Sequence, residues 1–115
     1  MRFNSFEEII AWQKARILSV SIYMIFANSK DFAFKDQIQR AVISISNNIA
    51  EGYERQTNRE FRNYLFIAKG SCAEVRSMLH IASDLQLLDR DVYLTLVEET
   101  REIGKILSGL IKSLS

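Results

Sequence analysis

Residues 57–85 read TNREFRNYLFIAKGSCAEVRSMLHIASDL, and this stretch decides the fold class. Apolar or small side chains recur along it at alternating steps of four and three residues, the spacing of a helix that packs along one seam. The seam consists of Phe61, Leu65, Ala68, Cys72, Val75, Leu79 and Ala82. Thr57 and Glu60 have the spacing of a capping box, which predicts that the helix begins beside them.

A second stripe lies beside this seam on the same predicted helix. It contains Tyr64, Ile67, Ser71, Glu74, Met78, Ile81 and Leu85, and five of these seven residues are apolar. A helix that is apolar over so wide an arc is covered on two sides. The helix therefore lies centrally in a bundle or faces another subunit, and the pattern leaves both alternatives open.

Three further segments have helical periodicity. The first begins at a possible capping box, Ser5 with Glu8, and its predicted core stripe is Phe6, Ile10, Gln13, Ile17, Val20, Met24 and Ala27. The second runs from about Lys35 to Arg55, with an apolar side of Ile38, Ala41, Val42, Ile45, Ile49 and Gly52. The fourth follows the N-cap candidate Asp89, with a seam of Tyr93, Leu96, Thr100, Ile103, Leu107, Leu110 and Leu114.

Four segments joined by short connections predict an all-α, antiparallel up-down-up-down four-helix bundle that occupies residues 1–115 as one domain. The absence of Pro agrees with long uninterrupted helices. The most apolar stretch, residues 17–27, is shorter than the ~20 residues of a membrane span, so we expect no membrane association. The lone Cys72 is typical of a reducing compartment, so the expected location is cytoplasmic.

The residues needed for most catalytic and metal sites are missing from the sequence. A di-iron bundle needs two Glu-x-x-His motifs, whereas His80 is the only His and Ser77 stands three residues before it. One Cys and one His also exclude the usual zinc sites, and no glycine-rich phosphate loop is present. We therefore expect no enzyme activity, no cofactor and no metal.

Charge is nearly balanced overall, with 15 Lys and Arg against 14 Asp and Glu. Between residues 53 and 70, however, four basic residues face only two acidic ones. Arg55, Arg59, Arg62 and Lys69 are therefore predicted phosphate contacts, with neighbouring aromatic rings available to stack bases. The alternative is an ordinary solvated junction between two helices.

The second segment also carries a polar stripe: Arg40, Ser44, Asn48, Glu51 and Arg55. If this stripe is exposed to solvent, the choice of polar side chains in it has little effect on stability. If it is buried against the third helix, Asn48 and Glu51 need hydrogen-bond partners, and Arg62 or Lys69 could supply them. Both alternatives stay open at the level of sequence.

These residues resemble the signature of the bacterial 23S rRNA intervening-sequence proteins. The matching positions are residues 37–41, 44–45, 48–52 and 55 in the second segment and 60–61, 65, 67–68, 70–71 and 74 in the third, together with Phe6, Glu7, Glu8, Trp12, Lys14, Ala15, Ile22 and Tyr23 in the first. The resemblance extends from about Phe6 to Leu114. Two positions depart from it: Ser46 stands where Pro is common, and Gln86 stands where Gly is usual.

The resemblance implies a four-helix bundle that assembles as a ring-like homopentamer, with no catalytic residues. Genes of this family can lie inside sequences that interrupt 23S rRNA genes, and a distantly similar protein, the accessory protein of diversity-generating retroelements, binds a reverse transcriptase and nucleic acid. The expected function is therefore non-enzymatic RNA binding, and the alternative is a protein-interaction scaffold or adaptor. The signature residues expected to serve packing or subunit contacts are Arg40, Ser44, Asn48, Glu51, Gly52, Gly70, Ser71 and Glu74.

Overall fold

The computed structural model describes residues 3–115 and contains four long helices. A 3₁₀ turn over Phe6–Glu8 precedes α1 (Ile10–Ile25), which is followed by α2 (Phe32–Tyr53), α3 (Asn58–Asp84) and α4 (Arg90–Ser113). Each helix packs against the next in sequence and α1 also packs against α4, whereas within residues 3–115 no Cα atoms of the diagonal pairs α1–α3 and α2–α4 come within 8 Å of each other. The predicted up-down four-helix bundle is thereby confirmed.

Side chains cap two of the helices. The Thr57 hydroxyl accepts a hydrogen bond from the Glu60 N–H at 3.1 Å and donates one to the Glu60 carboxylate at 3.3 Å, so the predicted start of α3 at Thr57 is confirmed, although the Glu60 carboxylate bonds the hydroxyl and not the Thr57 N–H of a full capping box. Asp31 caps α2 by accepting from the Phe34 N–H at 3.1 Å. The box predicted at Ser5 is wrong, because the Ser5 side chain makes no capping bond and Glu8 accepts from the Asn4 N–H instead.

The core follows the predicted seams of α2, α3 and most of α4. All seven predicted seam residues of α3 are buried, as are all six residues of the apolar side of α2. In α4, Leu96, Thr100, Ile103 and Leu107 are buried, whereas Tyr93 is half-buried. These seams bring α3 into contact with both α2 and α4.

The core face predicted for α1 is wrong. Of the predicted stripe, Ile17, Val20 and Met24 are 64%, 56% and 72% exposed. The buried face is instead built from Ala11, Ala15, Leu18, Ser19 and Ile22. Both faces repeat at helical spacing, so periodicity alone does not distinguish them. Small alanines let a helix approach its neighbours closely, and the bulkier face, here called the α1 apolar stripe (Ile17, Val20 and Met24), is left uncovered.

The second stripe of α3 is divided between core and surface. Met78 is buried and Ser71 is half-buried, whereas Ile67 and Ile81 are 52% and 47% exposed. The packing of α3 between α2 and α4 therefore buries only part of the wide apolar arc of α3.

The turn after α3 has a left-handed residue at Gln86, where φ is 58°. The Leu87 N–H donates to the Ala82 carbonyl at 2.9 Å, and the Gln86 N–H donates to Ser83 at 3.0 Å. This is a Schellman turn, in which the left-handed position favours glycine. The departure from the family pattern at Gln86 therefore lies at a strained backbone position.

Candidate nucleic-acid interface

Arg55, the first predicted phosphate contact, is engaged within the protein. Its Nη2 donates to the Glu51 carboxylate at 3.0 Å and also to the Tyr64 hydroxyl. Its guanidinium carbon lies 4.8 Å from the centre of the Tyr64 ring. The positive charge of Arg55 is thus largely matched locally, although the side chain remains exposed.

The partners suggested for Asn48 and Glu51 are also corrected. Glu51 accepts from Arg55 and, at 3.2 Å, from the Tyr64 hydroxyl, so neither Arg62 nor Lys69 is needed. The Asn48 amide bonds within its own helix, donating to the Ser44 carbonyl at 2.7 Å and to the Ser44 hydroxyl at 2.9 Å. Arg55, Tyr64 and Ser44 are therefore the partners of Glu51 and Asn48 in place of Arg62 or Lys69.

This stripe forms a polar layer between α2 and α3. The hydroxyls of Ser44 and Ser71 lie 2.9 Å apart across the two helices, and Gln37 donates to Glu74 at 3.4 Å. Of the signature positions, Ser44, Ser71 and Glu74 thus make contacts between α2 and α3. Arg40 is exposed.

The two signature glycines differ in their surroundings. A Cβ atom at Gly52 would lie 2.5 Å from Tyr64 Cβ and 3.1 Å from Phe61 Cδ1, so glycine is what allows α2 to approach α3 here. A Cβ atom at Gly70 would have no neighbour within 4 Å. Among residues 3–115, Gly70 is therefore not required for close packing of helices.

Lys69 lines a basic groove between α3 and α4 that was not predicted from the sequence. The α3–α4 groove is open, has a volume of about 550 Å³, and is lined by Lys69, Cys72, Ala73, Arg76, Arg101, Gly104, Lys105 and Ser108. Four of these eight residues are cations, and no carboxylate lines the groove. Small side chains on both helices form its floor.

The positive charge of the groove comes from basic residues that recur at helical spacing on α3 and on α4. Arg62, Lys69 and Arg76 recur every seven residues along α3, and positions seven apart share one face of a helix. On α4, Arg101 and Lys105 share a face in the same way. Counting charges along continuous sequence hides these residues, whereas counting them by helix face reveals one basic face on α3 and one on α4, although not that the two faces meet. Of the other predicted contacts, the exposed Arg59 and the half-buried Arg62 both lie outside the groove lining, so only Lys69 and Arg76 contribute charge from α3.

Little negative charge offsets these cations. Within the described residues 3–115, Lys69, Arg76 and Lys105 form no ion pair, and Arg101 has only the exposed Glu98 at 3.8 Å. Such exposed pairs are weak and screened by salt. The α3–α4 groove therefore concentrates positive potential in a chain whose net charge is only +1.

Two groups near α4 have raised pKa values. Burial raises the pKa of the Cys72 thiol from 9.0 to about 11, against the opposing effects of Arg76 and the Gly104 backbone. The thiol donates to the Thr100 carbonyl at 3.1 Å and stays protonated at neutral pH, so it is a poor nucleophile. Burial and then Glu102 raise the pKa of Glu99, whereas Lys14 opposes this shift.

Among residues 3–115, no cluster of three or more His, Cys, Asp or Glu side chains is placed to hold a metal ion. In the same residues, no helix combines the length and apolarity that crossing a membrane requires.

The fold and the polar α2–α3 layer define the chain as a four-helix-bundle protein, and the comparisons with known proteins agree. The family model of the 23S rRNA-intervening sequence protein matches residues 7–109, and the chain belongs to this family. It is similar to a crystal structure of a protein of unknown function from the S23 ribosomal protein family of Bacteroides thetaiotaomicron VPI-5482. The identity is 29% and the TM-score 0.84, over 90% of this chain and 99% of the other. No curated protein matches the chain.

Proposed function

We propose that this protein is a non-enzymatic, self-associating bundle that binds RNA through its basic surface. The observation that carries the proposal is the α3–α4 groove, in which four cations converge without a carboxylate in the lining. Lys and Arg side chains bind the phosphate backbone and release its counterions, which makes such binding strongly salt-dependent. Membership of a family described by an rRNA intervening sequence supports RNA as the polyanion.

Self-association strengthens this proposal, because repeated copies of one weak basic groove gain affinity through avidity. The feature that supports self-association is the α1 apolar stripe, since exposed apolar side chains grouped on one face are typical of interaction surfaces. We therefore propose that the homo-oligomer, a pentamer by resemblance, forms through α1. The sequence left α3 open as either a central helix or a subunit contact, and α3 exposes fewer large apolar residues than the stretch from α1 to the start of α2.

RNA binding is tested by reversing charge inside and outside the groove. Arg76→Glu and Lys105→Glu are compared with Lys30→Glu, which changes the net charge equally from the loop between α1 and α2. We expect each groove variant to weaken binding of a fragment of the host's 23S rRNA and to lower the slope of log K against log salt by about 1 per lost phosphate contact. Equal affinities for groove and control variants would contradict the proposal.

We also propose Arg59 and Arg62 as phosphate contacts that flank the groove. Both lie in the first two turns of α3, and neither forms an ion pair within residues 3–115. The double variant Arg59→Glu, Arg62→Glu is expected to weaken RNA binding and to reduce its salt dependence. For Arg55 we expect a smaller effect, since Glu51 already holds its guanidinium.

The second candidate function is a protein adaptor, which the same α1 apolar stripe and the 68% exposed Phe32 favour. The two functions are distinguished by what the stripe binds. A pull-down from host extract in which Val20→Glu removes one specific partner, while the wild-type protein stays monomeric, would favour the adaptor.

A further inference from the structure

An exposed aromatic ring lies beside the cations of α3. Phe66 is 53% exposed, and it stands four residues after Arg62 and three residues before Lys69. Residues three and four apart are neighbours on a helix surface. The phenyl ring of Phe66 therefore lies on the same side of α3 as both cations.

The cations form a line long enough for an extended strand. Arg62, Lys69 and Arg76 span fourteen residues of α3, or roughly 21 Å at 1.5 Å per residue. Lys105 and Arg101 stand on the opposite wall of the groove. Because the floor of the groove contains small residues, a backbone of sugar and phosphate can approach both walls.

Beyond Arg76, a pair of aromatic rings joins the two helices. His80 Nδ1 lies 2.7 Å from the Tyr93 hydroxyl, and the two rings meet edge to face with centres 5.6 Å apart. This pair fixes α3 to α4 at one end of the groove. Phe66 lies outside the lining of the groove, three residues before its wall residue Lys69, and within residues 3–115 its ring has no aromatic partner.

We propose that the α3–α4 groove takes an unpaired segment of RNA, with its phosphates on Lys69, Arg76 and Lys105 and a base stacked on Phe66. The inference rests on the proposed RNA binding and narrows its ligand to single strands. Cationic grooves combined with exposed aromatic rings are typical of single-strand binding, because stacking needs a free base face. In duplex RNA the base faces are already stacked, and recognition relies on shape and backbone contacts.

The test compares binding of fluorescein-labelled oligouridylate and of a blunt RNA duplex of equal length. We expect Phe66→Ala to weaken binding of the single strand by roughly 5- to 100-fold, the effect of losing one stacked base, while duplex affinity changes less than about twofold. Phe66→Trp should retain or strengthen single-strand binding, because the indole ring also stacks. Ile81→Ala, which removes a similarly exposed apolar side chain from another face of α3, should leave both affinities unchanged.

The salt dependence of RNA binding distinguishes the contribution of base stacking on Phe66 from that of phosphate contacts. Phe66→Ala should leave the salt slope unchanged, whereas Lys105→Glu should lower it. If Phe66→Ala leaves single-strand affinity intact, or weakens both RNAs equally, the single-strand inference is wrong even when Lys105→Glu still weakens binding. If neither Lys105→Glu nor Arg76→Glu weakens binding of any RNA, the proposed function itself has failed.

Discussion

Gly52 sets the distance between α2 and α3 next to the turn that joins the two helices. A methyl group there would come within 2.5 Å of Tyr64 Cβ, a backbone-proximal atom that side-chain rotation does not move. We expect Gly52→Ala to lower the free energy of unfolding by about 1–3 kcal/mol, the usual effect of overpacking. Urea denaturation measures this change.

The matched control for this prediction is Gly109→Ala in α4, where the added methyl group meets nothing within 4 Å. In that open helical position alanine should stabilise the protein by roughly 0.5–1 kcal/mol, since it restricts the unfolded chain more than glycine does. Equal effects of the two substitutions would show that Gly52 does not set the spacing between the helices.

Gln86 offers a prediction of opposite sign. Its backbone is left-handed at φ 58°, a conformation that disfavours residues with a Cβ atom. We expect Gln86→Gly to raise stability by about 0.5–1 kcal/mol, because relief of strain exceeds the added entropy of the unfolded state. Thermal unfolding should show a Tm higher by a few degrees, with a smaller gain for Gln86→Asn, and a lower Tm for Gln86→Gly would contradict this account of the turn.

At the scale of the helix, the prediction succeeded where only one face was apolar enough to be buried. In α3 the seam from Phe61 to Ala82 was identified correctly because every one of its positions is apolar or small, whereas Ser71 and Glu74 interrupt the neighbouring stripe. In α1 two faces carry apolar residues at helical spacing, and the bulkier one is exposed. Hydrophobicity ranks Ile17 above Ala15, but close packing against neighbouring helices favours the smaller residue.

The residues of the candidate site were predicted only where they lie close together in the sequence. Lys69 was found because it belongs to a locally basic stretch, whereas Arg101 and Lys105 lie on another helix within a region that is acidic overall. Bringing them opposite Lys69 requires the register between α3 and α4. Sequence periodicity does not supply that register, because it describes each helix separately.

The polar layer between α2 and α3 gives a prediction at the same scale. The Ser44 and Ser71 hydroxyls bond to each other at 2.9 Å. Replacing Ser44 with Ala removes this partner of Ser71, whereas replacing Ser71 leaves the Ser44 hydroxyl with only the Asn48 amide. A double-mutant cycle of Ser44→Ala and Ser71→Ala should give a coupling energy on the order of 0.5–1.5 kcal/mol in urea unfolding. Strict additivity would show that the hydrogen bond between these hydroxyls contributes nothing to the packing of α2 on α3.

For the whole molecule, the location of the subunit contact is the main structural prediction. Val20 lies in the α1 apolar stripe and is 56% exposed, so a charge there should leave the isolated bundle folded and disrupt an interface. We expect Val20→Glu to convert the oligomer to monomers in analytical ultracentrifugation at micromolar concentration. Ile81→Glu, at a comparably exposed position on α3, should leave the oligomer intact, and the reverse result would place the contact on α3.

RNA binding and self-association are linked in this account, because a ring repeats the α3–α4 groove around one molecule. Each groove contributes a few phosphate contacts, which give weak binding at physiological salt when they act alone. Simultaneous engagement of several grooves would raise the affinity by avidity without any new contact. Monomeric Val20→Glu should therefore bind long RNA more weakly than the wild type while retaining its affinity for a short oligonucleotide.

The most direct test of the central claim is native mass spectrometry of the protein purified gently from its own host. The spectrum reports the number of subunits and any bound material in one measurement. We expect a homo-oligomer, a pentamer by family resemblance, that carries RNA which is lost on charge reversal at Lys105. A monomer free of nucleic acid would contradict both the assembly and the RNA-binding proposals.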